Sequence, residues 1–187
     1  MSYYSGAADN FRRHRCLRGV FLDADLGRLK GMVAAQERAL AALREAGIGF
    51  EITTHPPVRS LAEAAAARGL QPRDIIKSLV IRRAEGDYLF VLVPGDREIS
   101  WPKLRSLLGV TRLSMPDAAT AKDVTGYERG TITPFGAHSA LPVIADATMM
   151  GRTVSLGAGG HGVAATMSAD DVVAVLGASV ADVTDSV

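Results

Sequence analysis

Lys77 is the most informative side chain in the sequence. It stands in a β-rich run, Ile75 to Arg82, where strand alternation puts it on the face of Ile75, Leu79 and Ile81 while Ser78 and Val80 point the other way. An unpaired ammonium on an apolar face is costly. Either a carboxylate meets it, or it looks into a cleft where a ligand brings negative charge, or its stem covers apolar surface and the head snorkels to water. A second group lies in the loop from Thr125 to Gly136. Here Gly126, Gly130 and Gly136 with Pro134 mark a shaped loop, and Thr131 and Thr133 add hydroxyls. The loop is read as a ligand-facing segment or as an ordinary connection that buries the aromatic Phe135.

A third group is the glycine cluster Gly157, Gly159, Gly160 and Gly162 around His161. It satisfies G-x-G-x-x-G behind a predicted strand, the fingerprint of a dinucleotide fold. That reading fails because too little chain follows, and Val163 to Met167 reads as a strand rather than the helix that would hold a pyrophosphate. What remains is a tight turn, or backbone that can approach a ligand and aim N–H groups at an anion. Of the four histidines, His14, His55, His138 and His161, the last is the best placed for acid/base or hydrogen-bonding work. No G-x-S-x-G elbow is present, Cys16 is the single cysteine, and no Cys/His spacing offers a four-ligand zinc site. Neither a metal nor another cofactor is expected.

These groups need elements to position them. Val33, Leu40 and Leu43 among many alanines suit a helix that stops at Gly47, and Ile48, Phe50 and Ile52 then alternate as a strand. Ser60 and Glu63 form a capping box for an Ala-rich helix ended by Gly69. Ile75 to Arg82 and Tyr88 to Val93 read as a hairpin. Ser100 is placed to cap a helix through Trp101, Leu104 and Leu108 to Gly109. Val110 to Met115 reads as a strand, Asp117 to Val124 as a helical turn or two, and Leu141 to Ala147 and Thr153 to Leu156 as strands. Ser168 and Asp171 open a last helix ended by Gly177. Short strands mixed irregularly with short helices predict a single α+β domain, with a mixed sheet or a barrel-like one, not repeated βαβ units.

Composition narrows the classes. The 187 residues are 48% hydrophobic and 22% charged, which suits one soluble globular domain and excludes wholesale disorder. Twenty-one Lys and Arg against 20 Asp and Glu leave a net charge of +1, too little for a protein that coats DNA, so any nucleic-acid contact is local. No apolar run is long enough for a bilayer and the start is polar, so a cytoplasmic location without membrane attachment is expected. Residues 1–30 stand apart as a basic extension in which Arg12, Arg13, Arg15 and Arg18 crowd around His14 and Cys16. A mobile tail or a start codon placed too early is preferred there over an RNA-contacting arm.

Read together, His55-Pro56-Pro57-Val58, Ile76-Lys77-Ser78-Leu79-Val80, Thr125-Gly126-Tyr127 leading through Gly130 to Thr133-Pro134-Phe135-Gly136, Leu141-Pro142-Val143-Ile144-Ala145-Asp146 and the glycine turn before Ser168 resemble the YbaK-type aminoacyl-tRNA deacylases. This is also the editing domain inserted in bacterial prolyl-tRNA synthetases. The resemblance covers roughly Ala34 to Val183 and places the domain at 31–187. It implies a hydrolase that cleaves the ester of mischarged aminoacyl-tRNA in trans, foremost tRNA(Pro) carrying cysteine or another small amino acid. The family's lysine falls on Lys77 and its loop glycine on Gly130, the two implied catalytic positions. Ser78, Thr131, Thr133, Pro134, Phe135, Gly136, Gly157, Gly159, Gly160 and His161 are the implied substrate-binding positions. The partner is the acceptor end of aminoacyl-tRNA, with prolyl-tRNA synthetase a further candidate. Where the cysteine-clearing branch has a tyrosine and an aspartate this chain has Thr53 and Ala164, and Leu156-Gly157 stands in place of the histidine-proline pair of the alanine-clearing branch. Two alternatives stay open: a non-catalytic aminoacyl-tRNA or nucleotide-binding module of the same fold, and a hydrolase of other activated esters or amides.

Overall fold

The computed structural model describes the backbone of residues 9–187 and the side chains of Leu26, Gly27 and residues 29–187. The side chains of Arg12, Arg13, His14, Arg15, Cys16 and Arg18 lie outside the described residues. Contacts divide the chain into Met1–Ala34 and a compact unit Ala35–Val187, and it is the second that carries the predicted site residues.

Helix α1 is Asp9–Glu45, and its last part presents Ala35, Ala39 and Leu43 to the interior before Gly47 turns the chain at φ +68°. The capping signals act as read. In α2, Leu61–Ala67, the Ser60 hydroxyl accepts from the Glu63 amide at 3.1 Å, while the Glu63 carboxylate accepts from the Arg59 amide at 2.8 Å. Asp117 caps α4, Ala118–Thr125, and Ser168 caps α5, Ala169–Leu176. Ser100 stands at the start of α3, Trp101–Leu108, but its hydroxyl makes no cap bond and instead serves Asp185. Left-handed Gly109, Gly126 and Gly177 close α3, α4 and α5.

The strands are β1 Phe50–Thr54, β2 Ile76–Ala84, β3 Asp87–Pro94, β4 Arg97–Ile99, β5 Val143–Asp146, β6 Thr153–Gly157, β7 Val163–Ser168, β8 Ser179–Ala181 and β9 Thr184–Ser186. They form an antiparallel sheet β1-β7-β6, a mixed sheet β2-β3-β5-β8 and the ribbon β4-β9. A parallel bridge from Ile75 to Ser155 joins the first two along one seam. The fold is thus the expected α+β type, with a mixed sheet flanked by short helices.

One face of this joined layer is mainly apolar, with Ser78 an exception. Ile76, Val80, Phe90, Leu92, Val143, Val154, Leu156, Ala165 and Met167 pack there against Leu43 and Phe135 in the main core. The opposite face is split. On β2 and β3 it carries Ile81, Leu89, Val91 and Val93, which with Leu104 of α3 and Ile144 make a second core. On β1, β7 and β6 it carries Glu51, Thr53, Thr166, Ala164, Ser155 and Gly157, because Ser155 faces Thr166 and Glu51 in register while Gly157 faces Ala164 and Thr53.

The strand expected at Val110–Met115 does not form. Only Ser114 bridges Arg82, with backbone bonds of 2.8 and 3.2 Å, since no further partner lies beside this β-rich run. Strands β4, β8 and β9, three residues each, escaped the sequence reading because so short a segment has no readable period. At the β5 end the buried Asp146 accepts from the Thr184 hydroxyl at 2.8 Å, the Val183 amide at 3.2 Å and the Thr148 amide at 3.0 Å. Burial works against its charge, yet these bonds outweigh it and hold the carboxyl below the usual aspartate range.

Candidate active site

The polar half of the split face supplies a floor. Ser155 and Ala164 are fully buried, and the Thr166 hydroxyl is buried without a hydrogen-bond partner among the described residues. A run of hydroxyls on strands whose other face is core has no packing rationale. The bridge from Ile75 to Ser155 continues this face onto β2, so Lys77 emerges at the border between the polar floor and the second core.

Lys77 is half-buried, and no carboxylate lies in ion-pair contact with it among the described residues. Its ammonium donates to the backbone carbonyls of Gly95, at 3.1 Å, in the turn from β3 into β4, and of Arg97, the first residue of β4. Gly95 cannot be replaced there without movement, because a Cβ would stand 2.3 Å from the Pro72 carbonyl oxygen. Burial pushes the Lys77 ammonium below the ordinary lysine range, partly opposed by the nearby charges of Asp96 and Glu98. A cation held by neutral carbonyls, and partly stripped of water, keeps attraction for an incoming anion.

A second cation comes from α2. Arg68 donates from its NH1 to the Ser155 hydroxyl at 3.3 Å and from Nε to His55 Nε2 at 3.4 Å. With His55 Nε2 accepting, Nδ1 carries the proton and gives it to the Pro56 carbonyl at 2.8 Å. Burial lowers the Arg68 pKa, and no carboxylate lies within ion-pair distance of it among the described residues. Sequence reading missed this arginine. Its signal was a single cation at the end of an Ala-rich helix. Ser155 and Thr166 were missed as well, although each is a polar residue between two buried apolar ones, Val154 and Leu156 in β6 and Ala165 and Met167 in β7.

The glycine-rich loop crosses the other end of the floor. Gly157 has no Cβ on this face, and into that space come the carbonyl oxygens of Ile132 and Thr131, 3.4 and 3.7 Å from where a Cβ would stand. Gly130 is exposed at φ +90°, a conformation costly for any other residue, with the His161 ring 3.8 Å from where a Cβ would stand. The Thr131 amide and hydroxyl both go to the Glu128 carbonyl, at 2.9 Å each, whereas the Gly130 amide has no intramolecular acceptor among the described residues. His161 Nε2 lies 3.6 Å from the Glu128 carboxylate. From behind, α1 fixes the loop: Arg38 donates to the Gly136 carbonyl at 2.6 Å and the Gly126 carbonyl at 3.0 Å, with its guanidinium over the Tyr127 ring.

Comparison with known proteins now adds to the geometry. A family model described as the aminoacyl-tRNA editing domain matches residues 55–175. The chain belongs to this family. A proline–tRNA ligase of Bacillus licheniformis is 33% identical over 91 residues, 49% of this chain and 16% of the ligase. That of Pelotomaculum thermopropionicum is 37% identical over 91 residues, again 49% of this chain and 16% of the ligase. The chain therefore spans about a sixth of the length of these curated relatives. Among solved structures, one provisionally assigned as a trans-editing enzyme for prolyl tRNA synthetase superposes with a TM-score of 0.75 at 27% identity, covering 81% of this chain and 97% of that one.

Within this editing domain the sequence-predicted positions divide. Lys77, Gly130, Gly157 and His161 border the polar floor and its loop. Ser78 points to the opposite face, its hydroxyl buried and unpartnered, and the Thr133 hydroxyl is likewise buried and unpartnered. Phe135 is in the main core, with its carbonyl accepting from the Tyr127 hydroxyl at 2.7 Å, and Pro134 lies beside Ala137 and Val143. Gly136 and Gly159 face the backbone of Arg38 and Ala35, and Gly160 faces the Gln36 side chain. The last three are packed where the loop and turn meet α1.

Proposed function

We propose that this protein is a trans-editing hydrolase that cleaves the ester between a wrong amino acid and the terminal adenosine of tRNA. The supporting observation is a pair of half-buried cations, Lys77 and Arg68, with no carboxylate in ion-pair contact, at a hydroxyl-lined floor roofed by the Gly130 loop. Family membership and the proline–tRNA ligase relatives point the same way.

In this reading Lys77 engages the phosphate or ribose of the terminal adenosine, and Arg68 supplies the second positive charge. The Gly130 amide faces the ester carbonyl and stabilises the oxyanion as it forms. An aminoacyl ester is already activated, so positioning plus oxyanion stabilisation suffices without a protein nucleophile. Water, or the substrate's own nucleophile, adds to the carbonyl carbon; the ester C–O bond then breaks and the ribose oxygen leaves with a proton. The preferred substrate is tRNA(Pro) bearing a small amino acid, cysteine among the candidates, in the cytoplasm. Thr53 and Ala164 are cross-strand neighbours, so both departures from the cysteine-clearing branch fall on one spot of the floor. That spot is where a different acyl group would be read.

The test is deacylation of cysteinyl-, alanyl- and seryl-tRNA(Pro) by wild type and Lys77→Ala. Hydrolysis of one member that Lys77→Ala abolishes is expected. Wild-type rates from the folded variant would refute the role of Lys77. Binding without hydrolysis across the panel would favour the non-catalytic module, the reading to which Thr53 and Ala164 lend support.

A further inference from the structure

Beyond the floor, the far end of β2 opens into a second concavity that the reaction does not use. It is an open groove of about 640 Å³ lined by Arg82, Arg83, Arg105 and Arg112, with Thr111 and Ser114 among the remaining walls. Four guanidinium groups gather here in a chain whose net charge is only +1. Arg83 is neutralised by Asp87 at 2.8 Å, and Glu85 also lines the groove. Arg82, Arg105 and Arg112 have no carboxylate in ion-pair contact among the described residues. The wall is fixed rather than loose: Arg82 and Ser114 exchange two backbone hydrogen bonds, and Arg82 Nε also donates to the Ser114 hydroxyl at 3.3 Å. The segment expected to be a strand at Val110–Met115 therefore serves as one side of a basic trough.

A smaller concavity of about 280 Å³ lies next along β2, between the residues of this groove and the Gly130 loop. It is lined by Ser78 to Val80, by Met115 to Ala118, and by Arg129 and Ile132 of the Gly130 loop. The two are lined by successive residues of the same segments, Ser78 to Val80 then Arg82 to Ala84 on β2, and Met115 and Pro116 then Leu113 and Ser114 opposite. Lys77 and Arg82 are five positions apart on one strand, about 17 Å at the usual rise of ~3.3 Å per residue, and alternation sends their side chains to opposite faces, so a strand joining them passes over the edge of β2. That distance is covered by a few nucleotides of extended strand.

We infer that the arginine groove holds the phosphate backbone of the tRNA acceptor stem while the unpaired 3′ end runs along the β2 edge to Lys77. The inference rests on the proposed editing reaction for the identity of the RNA, and on the charge and alignment of the groove for its place. Arginine forks suit phosphate oxygens bidentately. No aromatic side chain lines the groove, so it offers no platform for base stacking. Contacts of this kind fix register and affinity without reading sequence. Any discrimination among tRNAs then arises at the acyl end.

The test compares wild type with Arg105→Gln/Arg112→Gln, and with Arg105→Lys/Arg112→Lys as a variant that keeps the charge. Binding of deacylated total tRNA is followed against salt, and hydrolysis is measured on the aminoacyl-tRNA and on the same amino acid esterified to adenosine alone. The Gln variant is expected to weaken tRNA binding about tenfold and to flatten the slope of log K against log salt by about 1.5. The Lys variant recovers most of both, and the adenosine ester is hydrolysed at the wild-type rate by all three. Unchanged tRNA affinity and salt slope would overturn the inference. So would a parallel loss on the adenosine ester, or wild-type binding of duplex DNA as tight as that of tRNA and equally lost in the Gln variant. If wild type hydrolysed neither ester yet bound tRNA through these arginines, the editing reaction would fall and the groove would stand.

Discussion

On β2 and β3 the outward alternation delivers Ile81, Leu89, Val91 and Val93 to a core closed by Leu104, whereas on β1, β7 and β6 the same face delivers Thr53, Thr166 and Ser155 to a polar floor met by Arg68 and the Gly130 loop. Both halves belong to one layer and share the main core behind them. The first half takes the burial free energy available to it, about 25 cal/mol per Å² of apolar surface. The second half forgoes it and keeps hydroxyls and cations instead. Such a departure from the packing optimum is where a folded domain places its ligand chemistry. Lys77, at the border, has its charged head held by the Gly95 and Arg97 carbonyls.

This contrast can be broken from either side. The largest effect is expected from Lys77→Met, which keeps the stem and removes the charge: kcat/KM for the edited tRNA falls at least about 100-fold, while the melting temperature moves by no more than about 3 °C. In wild type the rate should also decline on the alkaline side at a pH below the ordinary lysine range, because burial lowers the Lys77 pKa and the ammonium is lost sooner as pH rises. A melting temperature that collapsed along with the rate would mean Lys77 belongs to the structural half. Leu104→Ala is the reciprocal change. Removing this fully buried side chain costs about 3 kcal/mol, seen in the urea midpoint, and leaves kcat per folded molecule near wild type.

Smaller effects sharpen the division. Arg68→Ala should raise KM about tenfold, the loss of one charge-assisted phosphate contact, with kcat little altered. A fall in kcat with constant KM would place Arg68 at the reacting atoms instead. Thr166→Val tests the floor itself. Its hydroxyl lacks a protein partner, so the swap is expected to be neutral or to stabilise by up to about 1 kcal/mol in denaturant titration. Destabilisation beyond that would show that the hydroxyl contributes to the fold.

The sequence carried what is decided locally. Ser60 with Glu63, Asp117 and Ser168 mark helix starts within three residues of the amides they serve, and the hairpin of β2 and β3 needs only its short turn, so these elements were legible. Lys77 was legible for the same reason, as a charge out of phase with its neighbours. What closes around it was not. Arg97 and Ser186 pair across 89 positions, through three-residue strands with no period of their own. Arg68 finds its meaning only when α2 is laid over Ser155, far along the sequence. The β-rich run at Val110–Met115 misled because propensity does not supply a neighbouring strand.

The carbonyl of Arg97 ties this site to the ribbon β4-β9, whose far strand is moored by Asp146 through Thr184. A ribbon of three residue pairs is among the first parts of a fold to open and reclose under native conditions. Each opening withdraws one of the two carbonyls that hold the Lys77 ammonium. The exchange of amide protons with solvent in β9 thus becomes a remote clock for the site: an occupant that steadies Lys77 should slow it, although no residue of β9 touches that occupant.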